Sequence, residues 1–243
     1  MRPTDITSEV LSERDVYIDS FNDLPLKELF TACESDPAVF AKYMLGIRLY
    51  GWQWLVTRKI VSGERRIILN TSRQIGKSLL SSVLALWYCV FNKGNSSEFH
   101  NTRVGIISAG DVQAKKVMDD IRSLIDIGDA YCKLHYSKNS EDLFAKGLFS
   151  YLIDESKSAE NNKSAITFKS YDKSFGILLK DSLVGSKIKS YPPTNIVRGE
   201  TFNLLFVDEA AQIDDEIYYY AIEKTGDKFD TLSPNVSFLY NCI

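Results

Sequence analysis

Histidine is nearly missing from this chain, with two among 243 residues, and the four cysteines (Cys33, Cys89, Cys132 and Cys242) are widely scattered. No pair of them has metal-ligand spacing, and two histidines cannot make up the deficit. Three of the cysteines sit among apolar or aromatic neighbours, which reads as buried free thiols in a reducing compartment. Positive charge is not in excess either: 29 Lys and Arg stand against 32 Asp and Glu, a net charge of -3. That balance excludes a global basic field for nucleic acid, so any DNA contact must be local or supplied by other subunits. Long apolar runs are lacking too. The best of them, Leu79 to Val90, is too short to cross a bilayer and is interrupted by serines, and there is no signal peptide. The expectation is a soluble intracellular protein with no membrane contact.

What the chain does have is a 44% hydrophobic content, enough to fill the core of one large α/β domain. Its most informative stretch is the octet Thr71-Ser72-Arg73-Gln74-Ile75-Gly76-Lys77-Ser78. The aliphatic run Arg65 to Asn70 before it has strand character, and Leu79 to Tyr88 after it reads as a buried helix. Strand, tight loop ending in Gly-Lys-Ser, then helix is the layout of a phosphate-binding loop. Backbone N–H groups at a helix N-terminus attract phosphate oxygens, Lys77 adds a point charge, and the Ser78 hydroxyl can ligate Mg²⁺. Thr71 stands where the usual pattern has its first glycine, so the alternative of an ordinary strand–turn–helix stays open.

The second signal is Phe202-Asn203-Leu204-Leu205-Phe206-Val207-Asp208-Glu209, an apolar run that ends in adjacent carboxylates. Such a run is a buried parallel strand delivering acids to its C-terminal edge. There Asp208 can hold Mg²⁺ and Glu209 can deprotonate an attacking water. The alternative is that the two acids only end a strand and cap a helix. The two stretches strengthen each other because they fill complementary roles in one reaction.

Around these signals, residues 1–24 are polar and read as an arm or loosely docked extension. Residues 25–243 form the domain proper. Apolar positions from Leu26 to Ile47 predict two short helices divided at Ser35-Asp36-Pro37, with an N-cap and a first-turn proline. Gly51 to Gly63 reads as a helix carrying Gln53. A glutamine amide offers an adenine edge both a donor and an acceptor, though a lone glutamine is more often an ordinary surface residue. Val104 to Ser108 is a second strand, and its following helix has Val117, Ile121, Leu124 and Ile125 on one face. Residues 137–163 suggest a helix and a mobile loop, with short strands near Ala165–Phe168 and Lys187–Lys189. The seven lysines from Lys157 to Lys189 read as a solvated face, with a DNA-contacting patch as the rival.

Four of these stretches together resemble the large terminase subunits of tailed viruses, the ATPases that drive double-stranded DNA into preformed capsids. They are the octet, Ser108-Ala109-Gly110-Asp111-Val112-Gln113-Ala114, Gly185-Ser186-Lys187-Ile188 with Val197-Arg198-Gly199, and Leu205 to Ala211. The resemblance spans roughly residues 40–243. It implies an α/β fold of the P-loop NTPase (ASCE/RecA-like) class, with a central mostly parallel β-sheet flanked by helices. It further implies ATP and Mg²⁺ as cofactors. Gln53 would contact adenine, and Ser72, Arg73, Gln74, Ile75 and Gly76 would line the phosphates. Lys77 would sit on the β- and γ-phosphates, with Ser78 and Asp208 on the metal and Glu209 activating water. Arg73 would stabilise the γ-phosphate, its rival role being a structural ion pair. Arg198 would fix the turn before the acidic strand.

The implied partners are double-stranded DNA, a portal protein and a small terminase subunit. The implied assembly is a homo-oligomeric ring on the capsid in the host cell cytoplasm, the isolated domain being monomeric. The family normally continues into a nuclease domain, whereas this chain stops at Cys242-Ile243 in an apolar strand. It therefore reads as an excised ATPase domain or a split protein, and no DNA cleavage is expected of it. Other classes stay open: a helicase-like P-loop motor, a nucleotide-binding switch that docks without turnover, and an assembly scaffold.

Overall fold

The apolar runs on either side of the octet fold as expected: strand β1 is Arg66–Asn70, and the helix after the loop is Lys77–Val90. The structure, a computed structural model, describes residues 8–64, 66–70, 75–91, 93, 102–108, 110–155, 159–169, 171–172, 177–178, 185–192, 200–208, 213 and 237–242. Among the described residues four helices precede β1: α1 (Ser8–Asp19), α2 (Leu26–Ser35), α3 (Pro37–Met44) and α4 (Gly51–Val61). The helix after the loop is α5. Next come β2 (Arg103–Ser108), α6 (Asp111–Tyr136), α7 (Leu143–Lys146) and α8 (Leu148–Leu152). The remaining strands are β3 (Ala165–Thr167), β4 (Tyr171–Asp172), β5 (Ile177–Leu178), β6 (Lys187–Tyr191), β7 (Leu204–Asp208) and β8 (Ser237–Cys242).

Among the described residues six strands form one sheet in the order β1-β8-β7-β2-β6-β3, while β4 and β5 make a separate antiparallel pair. All neighbours in the large sheet are parallel except β3, which runs antiparallel to β6 at the edge. The sheet is therefore mixed but mostly parallel, an α/β arrangement. Burial follows from that. β2 buries Val104, Ile106 and Ile107, and β7 buries Leu204 through Val207 without alternation, as a strand covered on both faces requires. Helix α5 touches β2, β6, β7, α3 and α6, so nearly every side of it is apolar and buried, from Leu80 through Cys89. Gly128 allows the next layer: a Cβ there would stand 2.4 Å from the Phe149 ring, so α6 and α8 close up only over a glycine.

Helices α2 and α3 divide where the sequence placed the break. Asp36 is the N-cap, its carboxylate accepting from Ala38 N–H at 2.7 Å, and Pro37 takes the first turn. Residues 8–24 differ from the loose extension expected of them. Helix α1 is docked on α3 and α4, with Ile18 only 2% exposed. Polar contacts do much of the docking: Arg14 donates to the Leu49 carbonyl at 2.9 Å, and the Tyr17 hydroxyl donates to Asp36 at 2.9 Å. Arg58 reaches the same carboxylate at 3.2 Å and lies over the Tyr17 ring. Burial, reinforced by the Asp36 carboxylate, pushes the Tyr17 hydroxyl up to about 12. Arg48 adds ion pairs to Asp15 and Asp19, and the Arg14 and Arg48 guanidinium groups hold the Asp15 carboxyl below its usual range.

In the lysine-rich region, Lys187 and Lys189 are both committed to Glu160, which the two ammonium groups hold below the usual carboxylate range. Among the described residues, Cys33, Cys89 and Cys132 are buried free thiols, and no helix is long and apolar enough to cross a membrane.

Candidate active site: a phosphate-binding loop

The chain leaves β1 at Asn70 and enters α5 at Lys77, and the described end of the intervening loop is Ile75 and Gly76. Gly76 is the N-cap of α5 with φ +89°, a left-handed conformation that glycine adopts without steric penalty. A second constraint acts on the same atom. A Cβ at Gly76 would stand 2.9 Å from the Gln53 amide nitrogen, so a side chain there would push that amide aside. Among the described residues no side chain caps α5. Partly exposed Lys77 and Ser78 stand at its start, a helix N-terminus of the kind suited to an anion.

Gln53 lies against Gly76, the last residue of this loop. It is not a surface residue, being 0% exposed. Its Oε1 accepts from Tyr50 N–H at 2.7 Å and its Nε2 donates to the Gly76 carbonyl at 2.8 Å. The amide ties the first turn of α4 to the last residue of the loop. Sequence reasoning identified the residue but not this task, because a glutamine that bonds a base edge and one that bonds two peptides have the same chemistry.

The acidic strand arrives at the same edge of the sheet. Asp208 is the last residue of β7 and is partly exposed, level with buried Ser108 at the end of β2. Val207 is level with Tyr240 of β8, and Leu69 of β1 with Asn241, so Asp208 lies level with the exit of β1. One strand, β8, separates the two, a lateral offset of about 10 Å at ordinary strand spacing. Lys77, Ser78 and Asp208 therefore come from segments that converge on the C-terminal edge of parallel strands, where α/β folds hold ligands. The hydroxyl of Ser78 and the carboxylate of Asp208 are hard oxygen donors of the kind Mg²⁺ takes. Ser72, Arg73, Gln74, Glu209 and Arg198 lie outside the described residues.

A loop closed by a left-handed glycine before a buried helix, facing an acidic strand across one parallel neighbour, is the framework of a P-loop NTPase. Solved structures agree in fold. A mutant form of the Thermus phage P74-26 large terminase ATPase domain is 17% identical, with a TM-score of 0.58 over 85% of this chain and 70% of that one. The unmutated domain gives 0.57 at 16% identity, over 86% and 70%. The HK97 bacteriophage large terminase gives 0.57 at 13% identity, and the chain spans 37% of that protein's length. Among curated proteins no sequence matches. Residues 68–232, well over half of the chain, match the family described as terminase large subunit, T4likevirus-type, N-terminal. The chain belongs to the terminase large subunit family.

Proposed function

We propose that this chain is the ATPase domain of a DNA-packaging motor, hydrolysing ATP with Mg²⁺ to translocate double-stranded DNA into a preformed capsid. What supports the reading is that Lys77 and Ser78 start a helix at the same sheet edge where Asp208 ends a strand, in a chain of the large-terminase family. The amides from Ser72 to Gly76 and at the start of α5 cradle the phosphates, with Lys77 balancing the β- and γ-phosphate charge. Ser78 and Asp208 hold the metal, which when bound neutralises charge on the phosphate oxygens. Glu209, next in the chain after Asp208, takes the proton of the attacking water. Arg73 offsets charge that spreads over the transferred group. Double-stranded DNA, a portal protein and a small terminase subunit are the proposed partners. The working form is a homo-oligomeric ring in the host cytoplasm, each protomer monomeric when isolated.

Phosphate release and ATP binding, measured on two variants, test the reading. Lys77→Ala abolishes hydrolysis and weakens nucleotide binding, because the site loses its main phosphate charge. Glu209→Gln keeps ATP and Mg²⁺ binding but loses turnover. Near-normal turnover by Lys77→Ala would sink the site assignment, and loss of all ATP binding by Glu209→Gln would make that residue structural.

A further inference from the structure

Leu134 and Val16 are the two most exposed large hydrophobic residues among those described, at 80% and 72%. Each stands on a helix whose other side is buried against α3. In α1, Ile18 is buried and its carbonyl accepts from the Tyr43 hydroxyl at 2.8 Å. In α6, Cys132 is buried and its thiol donates to the Met44 carbonyl at 3.3 Å. Val16 and Leu134 are each two residues from these contacts, about 200° around the helix, so both are turned away from α3. Single exposed hydrophobics are ordinary on a protein surface. These two are set apart by their surroundings, which are opposite in charge.

Glu9, Glu13 and Val16 follow one another at i, i+4 and i+7 on α1, and all three are exposed. The cations of that region are engaged elsewhere, Arg14 with Asp15 and the Leu49 carbonyl, Arg48 with Asp15 and Asp19. Leu134 ends an exposed apolar stripe with Ile127 and Ala130, and Lys133, His135 and Lys138 beside it are exposed too. The carboxylates of that region serve backbone N–H groups: Asp129 accepts from Phe149 and Ser150, and Asp142 from Lys138, Asn139 and Ala145. A basic last turn suits the dipole of α6, but the dipole calls neither for a bare leucine nor for Lys138 beyond the helix end.

We propose that these patches are the two halves of one contact between copies of this chain. The α1 stripe of one copy seats Val16 against Leu134 of the next, with Glu9 and Glu13 facing Lys133 and Lys138. A patch that is not its own complement makes a head-to-tail contact, and repeating it closes a ring or runs on as a filament. The proposal rests on the ring reading above and deepens it by naming the surfaces that meet. One helix face a side falls below standard interface size, so the copies part on dilution.

The test is sedimentation equilibrium of the full chain from about 10 µM to about 1 mM, the range in which so small a contact is populated. Glu9→Lys/Glu13→Lys makes both patches basic, and Lys133→Glu/Lys138→Glu makes both acidic. The wild type gains mass past a dimer as its concentration rises. It gains less in about 1 M NaCl, where the screening length falls to about 3 Å. Either double variant alone associates at least about tenfold more weakly, because two exposed attractive pairs become repulsive. An equimolar mixture of the two variants recovers association, since each patch then meets its opposite. Both variants keep a cooperative, wild-type-like thermal melt, all four side chains being exposed. Mass gain that neither variant changes overturns this contact and leaves the ring reading standing, and so does a mixture that stays monomeric. Growth that stops at two overturns both, because a closed pair is not head-to-tail. A strict monomer at every concentration overturns the contact, any ring then being built by the capsid rather than by the chain.

Discussion

Gln53→Glu changes one NH₂ group to oxygen and preserves the shape of a fully buried side chain. One oxygen keeps the bond from Tyr50 N–H, but the other then faces the Gly76 carbonyl, now 2.8 Å from the Gln53 amide nitrogen. An ionised carboxylate has no proton for that carbonyl, whereas the neutral acid restores the bond with its O–H. Burial favours the neutral acid as well, and only the Tyr50 N–H favours the anion. A net rise of about two to three units above the free value of about 4.3 follows, worth roughly 3–4 kcal/mol. A raised folded-state pKa means that the folded chain holds the proton longer than the unfolded chain does. The variant therefore matches the wild type below about pH 4, then loses about 1.4 kcal/mol per pH unit until its folded pKa is passed. Urea unfolding of both proteins from pH 4 to 8.5, compared as a difference, reads this directly. Gln53→Ala serves as the control, with a loss that does not vary with pH. A flat difference curve for Gln53→Glu would refute the amide tie between α4 and the loop.

Asp36 joins the α3 cap to the docking of α1, so Asp36→Ala removes a cap worth about 1 kcal/mol and orphans the Tyr17 hydroxyl at a further 1–2 kcal/mol. The expected outcome is a total loss of about 2–3 kcal/mol in denaturant melts, with α1 becoming the first site of limited proteolysis; resistance equal to wild type would contradict it. Cys33, Cys89 and Cys132 are buried, and burial pushes their thiols up, that of Cys132 to about 12. Iodoacetamide labelling at pH 8, mapped by mass spectrometry, should modify these three only as fast as the chain unfolds, and prompt labelling of any of them in the native protein would be inconsistent with the core described.

The loop could be read from the sequence because its chemistry is local. A strand, Gly76-Lys77-Ser78 and a buried helix are adjacent in the chain, and the left-handed φ of Gly76 is what that glycine was there to allow. Asp208 was legible for a similar reason, since a short unbroken apolar run such as Leu204–Val207 that ends in acids suits a strand covered on both faces. Strand order was not legible. Nothing in Ser237–Cys242 states that it inserts between β1 and β7, because pairing partners are chosen by the whole sheet. Helix α1 was missed because its docking depends on single polar bonds, such as that from Arg14 to the Leu49 carbonyl, which composition does not weigh. Its spacing did hold a clue: Val10, Tyr17, Ile18, Phe21 and Leu24 recur at helical intervals and all pack on the core.

The insertion of β8 sets an order of events during synthesis. β1 is made early, yet its partner in the sheet lies some 170 residues later, and the same late strand is what joins it to β7. Until residues 237–242 have left the ribosome, β1 and β7 lack the strand that joins them in the sheet, and it is the packing of α5 on β2, β6 and β7 that relates Lys77 to Asp208. A nascent chain can therefore carry Lys77 and Asp208 before the sheet between them is complete. The six residues of β8 act as the clasp that completes the sheet between β1 and β7.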